Sequence, residues 1–117
     1  MAKSLPEMQE EVYKYCLDKN WRGPNAYPRT FLEECMLITT EVAEAAEAWR
    51  DTGHCNIYFA ELSHHPDKPE GVPSELADIF IRILDTCQQY GINLEREYER
   101  KMAYNRTRPL QHGGKFA

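Results

Sequence analysis

Nowhere in the 117 residues does an apolar run approach the ~20 residues that a bilayer-spanning helix needs. Residues 1–20 also lack an apolar core between a basic start and a small-residue cleavage site, as a secretory leader would have. A cytoplasmic protein with no membrane partner is the expectation. Positive charge is in short supply: 14 Lys and Arg stand against 19 Asp and Glu, for a formal net charge of -5. Such a chain repels nucleic-acid phosphates unless its cations cluster, so no nucleic-acid partner is expected. There is no C-x-x-C pair. Cys16, Cys35, Cys55 and Cys87 lie far apart, three of them inside apolar helical patterns, which reads as free thiols rather than a zinc knuckle or a disulfide framework. Alternating strand patterns, internal repeats and heptad arrays are missing too, leaving an all-α class. At this length a folded monomer exposes roughly 6,600 Å², against about 20,000 Å² for the unfolded chain, enough burial for one modest core. One domain over residues 1–117 is expected.

What is present is four helical segments with one long interruption. Ser4-Leu5-Pro6-Glu7 has the S-x-x-E pattern of a capping box, and Met8, Val12, Tyr15 and Cys16 recur at helical spacing to about Asn20. Residues 21–29 carry Gly23, Pro24, Asn25 and Pro28 and read as a loop. Thr30-Phe31-Leu32-Glu33 is a second capping box, opening a helix that runs to about Asp51, where Gly53 is placed to end it. That helix is apolar on several sides, as in the middle of a bundle. Residues 52–72 are rich in Pro, Gly and His, and the apolar patch Ile57-Tyr58-Phe59 suggests a helical turn inside a loop insert. Pro73 suits the first turn of a third helix reaching Tyr90 and closed by Gly91. Asn93 caps a fourth, which extends to Arg106 or Arg108 before Pro109 stops it and leaves a flexible tail at about 109–117.

The acids of the second and third helices need explaining. At 100° per residue, Glu34, Glu41 and Glu44 fall within about 80° of one another, on the same side as Leu37, Ile38, Ala45 and Ala48. On the third helix Glu75, Asp78, Arg82, Asp85 and Gln89 form a narrow polar stripe between apolar arcs. Grouping such carboxylates away from water without counter-charge raises their pKa values and costs several kcal/mol each, so a cation is expected between them. Glu41-x-x-Glu44 and Glu75-x-x-Asp78 would each project two oxygens toward a shared point, and hard oxygen ligands suit Mg²⁺ or Mn²⁺. The competing reading is a pair of solvated acidic faces. Glu34 and Glu47 are assigned outer or surface positions. Asp85 is either an outer ligand or the partner of Arg82.

Three segments together resemble the MazG-like nucleoside triphosphate pyrophosphohydrolases of the all-α NTP-pyrophosphatase superfamily. They are Glu41-Val42-Ala43-Glu44-Ala45-Ala46-Glu47-Ala48, then Ser74-Glu75-Leu76-Ala77-Asp78-Ile79-Phe80-Ile81-Arg82-Ile83-Leu84-Asp85, and Lys101-Met102-Ala103-Tyr104-Asn105-Arg106-Thr107-Arg108-Pro109 with His112-Gly113-Gly114-Lys115. The resemblance covers about two-thirds of the chain. It implies a four-helix core whose bundle is completed by oligomerisation, as a homodimer or homotetramer. It also implies Mg²⁺, with Mn²⁺ as substitute, held by Glu41, Glu44, Glu75 and Asp78 as the catalytic metal ligands. The implied reaction cleaves a nucleoside triphosphate between its α and β phosphates, giving a monophosphate and pyrophosphate. The gap between Glu44 and Glu75 is longer than in compact members of that family.

Lys101, Asn105 and Arg108, spaced four and three residues apart, are candidate phosphate contacts from one face of the fourth helix. Lys68 and Lys115 are further candidates from the insert and the tail. Trp21, Asn25, Tyr27 and Tyr104 are candidates for a base pocket. His54, Cys55, His64 and His65 fit no standard zinc spacing. Two other functions compete with the nucleotide hydrolase: a non-catalytic helical adaptor, and a metal-dependent hydrolase of another phosphoanhydride.

Overall fold

A computed structural model describes residues 2–59 and 66–109. Helix α1 (Leu5–Asp18) begins at the expected capping box: the Ser4 hydroxyl accepts from the Glu7 backbone N–H, and the Glu7 carboxylate accepts from the Ser4 N–H at 3.1 Å. Helix α2 (Phe31–Thr52) begins with the same reciprocal pair between Thr30 and Glu33. It ends at Gly53, whose φ of 72° is the left-handed value that glycine adopts without a Cβ penalty. Helix α3 (Val72–Gln89) and helix α4 (Leu94–Asn105) follow, α4 capped by the Asn93 side chain accepting from the Arg96 N–H. The molecule is thus predominantly helical, and no described helix is long and apolar enough to cross a membrane.

One sequence expectation is corrected here and another is narrowed. The patch at Ile57-Tyr58-Phe59 forms no helical turn: Tyr58–Phe59 is a short strand, β1, paired antiparallel with β2 (Pro69–Glu70) in the register Tyr58 to Glu70 and Phe59 to Pro69. The hairpin leads straight into α3. Its exit needs glycine, because Gly71 has a φ of 101° and an added Cβ would stand 2.6 Å from the backbone oxygen of Asn56. Second, of the two expected ends of α4 the nearer one holds: the helix runs to Asn105 with Arg106 as its C-cap, so Arg108 lies in the turn beyond it, where Arg108 N–H donates to the Asn105 carbonyl.

Helix α3 is the axis of the molecule, packing on α1 along one side and α2 along the other, while α4 rests against α1. The buried apolar core is thin: Cys16, Ala45, Val72, Leu84 and Cys87. Polar clasps supplement it. Buried Gln9 on α1 donates to the Gln88 side chain and to the Ile92 carbonyl at 2.8 Å, and accepts from the Leu94 N–H at 3.0 Å. That single amide ties α1 to the turn between α3 and α4. Phe31 and Tyr90 meet edge to face with centroids 5.3 Å apart, joining the start of α2 to the end of α3. The four cysteines are free, two buried, Cys35 half-buried and Cys55 exposed.

Candidate metal centre

The packing of α2 beside α3 brings three acids together. One carboxylate oxygen each from Glu41, Glu75 and Asp78 lies within 4.8 Å of the others. Helical spacing accounts for the α3 pair, since residues three apart share a face, and the α2–α3 contact supplies Glu41 from across the interface. Glu44, one turn along from Glu41, is exposed and stands outside the trio, but it lines the same cavity. That cavity, of about 450 Å³, is walled by Glu41, Glu44, Asp78 and Arg82 at its acidic end, and by Trp21, Arg29 and Ile81 beyond.

The electrostatics are those of crowded anions. Burial, and then the charges of Asp78, Glu44 and Glu41, push the Glu75 carboxyl above its ordinary range. Asp78 is raised by desolvation and by Glu41, and Glu44 by its hydrogen bond to Glu41 and that residue's charge. Lys68, just before β2, draws Glu75 and Asp78 partly back. Glu75 Oε2 is buried and has no hydrogen-bond partner among the described residues. An orphaned buried carboxylate oxygen beside two other carboxylates is what a hard divalent cation would satisfy. The donor set therefore fits Mg²⁺ or Mn²⁺.

Arg82 does not pair with Asp85. It reaches across to α2, where its Nε donates to Glu41 Oε1 at 2.9 Å. Asp85 belongs to a different cluster, one the sequence reading missed. Arg22, from the loop after α1, is buried; its NH1 donates to Glu34 at 2.7 Å, its NH2 to Asp85 at 2.9 Å, and its Nε to both Asp85 oxygens at 3.2 Å. Arg29 adds a 3.0 Å bond to Glu34 and a 3.9 Å ion pair with Asp85. Two arginines and two acids make a neutral quartet, of which Arg29 and Asp85 also line the acidic cavity. Burial would raise the Glu34 carboxyl, but hydrogen bonds from Arg22 and Arg29 outweigh it and hold the group below its usual range. Glu34 is only 2% exposed, so its assignment to an outer or surface position is corrected: it is an interior residue that fastens the loop to α2 and α3. Cys16, against Asp85, has its thiol pushed up to about 11 by burial and by that neighbouring charge, which leaves it un-ionised at neutral pH.

The structure does not bring Lys101, Asn105 and Arg108 to this cavity; all three are exposed, on or just after the helix that rests on α1. Glu47 is a surface residue paired with Arg50 at 3.4 Å. Trp21 lines the acidic cavity and, with Tyr27, Tyr13, Arg29 and Gln89, an adjoining one of about 280 Å³, whereas Asn25 and Tyr104 are exposed and line neither. Lys115, His64 and His65 fall outside the described residues, and His54 and Cys55 are exposed. Compared with known proteins, the chain matches no family model, no curated protein and no solved structure.

Proposed function

We propose that the protein is a Mg²⁺-dependent nucleotide pyrophosphohydrolase that cleaves a nucleoside triphosphate between the α and β phosphates. The observation that carries the reading is the buried, unpartnered Oε2 of Glu75, on a carboxylate that sets one oxygen within 4.8 Å of oxygens from Glu41 and Asp78. Glu41, Glu75 and Asp78 would hold the cation, with Glu44 at the rim. When bound there, it would lower the pKa of a coordinated water and polarise a phosphoryl oxygen. The residues of the chain do the rest: the acids orient the cation-bearing end of the substrate, Lys68, Arg82 and Arg29 supply positive charge to the phosphates, and Trp21 offers a flat apolar wall for the base. A panel of triphosphates incubated with Mg²⁺ and followed by phosphorus NMR is expected to yield pyrophosphate together with a monophosphate. Stepwise release of orthophosphate, or no turnover across the panel, would sink the assignment.

We further propose that the working form is a homodimer. A standard interface needs about 800 Å² from each partner. An apolar seam that could supply it runs along α2. Leu32, Cys35, Thr39, Val42, Ala46 and Trp49 follow one another at spacings of 3, 4, 3, 4 and 3, on a face that α3 does not cover, and Leu32 is 75% exposed. Replacing Ala46, which is exposed within the subunit, by Arg is expected to convert the dimer to a monomer in sedimentation velocity without unfolding it. A monomeric profile for the unaltered protein at micromolar concentration would refute the pairing.

A further inference from the structure

Arg82 sits in the acidic cavity yet plays no part in the metal-ligand set, and its position carries a consequence for how that set works. It lies one helical turn after Asp78, its side chain is 35% exposed, and its guanidinium is hydrogen-bonded to Glu41, whose own side chain is 13% exposed. Glu41 is therefore claimed twice: by the guanidinium through Oε1, and by the trio with Glu75 and Asp78. A carboxylate that already accepts a charge-assisted bond is a poorer ligand for a second positive group beside it. A triphosphate reverses the balance, since it brings about four negative charges and an arginine fork matches phosphate oxygens in two-point contacts.

Resting on the assignment above, we infer that Arg82 is an exchangeable counter-ion. It holds Glu41 in the metal-free protein, releases it when the cation and a phosphate chain arrive together, and then pairs with the phosphate. No bond is made or broken beyond hydrogen bonds and ion pairs. The exchange makes cation and phosphate binding cooperative: either one alone must work against the Arg82–Glu41 pair, and the second to arrive does not. Couplings of this kind typically span about 5–150-fold. Arg82 is a positioning residue in the free protein and a phosphate contact in the complex.

The test uses the full-length protein and needs no turnover. Mn²⁺ binding is measured by electron paramagnetic resonance of the free ion, for the unaltered protein, Arg82→Gln, Arg82→Lys and Glu75→Gln. Binding of the preformed Mn²⁺ complex of inorganic tripolyphosphate is measured by calorimetry on the same set. Arg82→Gln is expected to bind Mn²⁺ alone about tenfold more tightly than the unaltered protein, and the tripolyphosphate complex about tenfold more weakly. Arg82→Lys, which keeps the charge without the fork, should fall between them in both titrations. The Thr86 hydroxyl donates to the backbone carbonyl of Arg82, which neither change removes, so circular dichroism should show the helix intact. Unchanged or weaker Mn²⁺ binding in Arg82→Gln, or unchanged binding of the tripolyphosphate complex, overturns the exchange. If Mn²⁺ binds the unaltered protein and Glu75→Gln alike, the metal centre itself fails, and that result is separate from either failure of Arg82.

Discussion

Replacing Arg22 by Met is expected to lower folding stability by about 3–5 kcal/mol, because two interior carboxylates lose their principal counter-charge while still shut away from water. Arg22 bonds to both Glu34 and Asp85, and Arg29, the other cation of the quartet, reaches Asp85 only at 3.9 Å. Arg22→Lys should fall between, since an ammonium keeps the charge but cannot serve two carboxylates with a planar fork. The effect depends on pH with a definite sign. The folded-state pKa of Glu34 is depressed from 4.5, so its contribution is fully present above that value and fades as pH falls through the folded pKa. The gap between the unaltered protein and Arg22→Met should therefore be widest near neutrality and narrow below about pH 4.5. Urea unfolding at a series of pH values measures it. A gap that stays constant or widens in acid would show that the lost stability comes from packing and not from the ion pairs.

Glu75→Gln is expected to move stability and activity in opposite directions. In the metal-free protein the fold disfavours the ionised Glu75, as its raised pKa records, and a neutral isostere relieves repulsion with Asp78, Glu44 and Glu41. Melting in the presence of a chelator should therefore occur at a higher temperature in the variant. With Mg²⁺ the order should reverse. On the proposed metal centre, the unaltered protein should gain about 2.7 kcal/mol at a hundred times the dissociation constant, and the variant little. In the same comparison kcat/KM should fall by about a hundredfold or more, equivalent to ~2.7 kcal/mol of transition-state stabilisation. Functional sites are often less stable than they could be, and a stabilising change that removes activity marks one. Equal Mg²⁺-induced shifts in both proteins would place any bound cation elsewhere.

What the sequence made legible was local. Ser4 with Glu7, Thr30 with Glu33, and Gly53 located helix ends to within a residue or two, because each signal is a contact among neighbours in the chain. The facing of Glu41 toward Glu75 and Asp78 was legible too, since helical spacing plus one assumed contact between successive helices sufficed. Partner choice across elements was not. Arg22 lies in a segment whose Gly and Pro content marked it only as a loop, and nothing in its neighbours says that its guanidinium turns inward to Glu34. Arg82 and Asp85, three apart on one helix, looked like natural partners, yet each found a stronger counter-charge on another element. The strand at Tyr58–Phe59 depends on Pro69–Glu70, ten residues on, and two-residue strands carry too little alternation to be seen. The outer seam of α2 escaped notice because Thr39, Ala46 and Cys35 are weak apolar signals, although their spacing is regular.

The clasp at Gln9 divides the molecule in a way that bears on how it can be altered. One side-chain amide fastens the turn before α4 to α1, and α4 rests chiefly on α1. The acid-bearing pair, α2 with α3, needs neither contact to hold its own register. Loosening this clasp, with α1 still packed on α3, would thus release the Lys101-to-Arg108 region as a tethered arm while sparing the carboxylate nest. Substitution at that glutamine would loosen α4 and its turn while the packing of α1 on α3, and with it the carboxylate nest, stays in place.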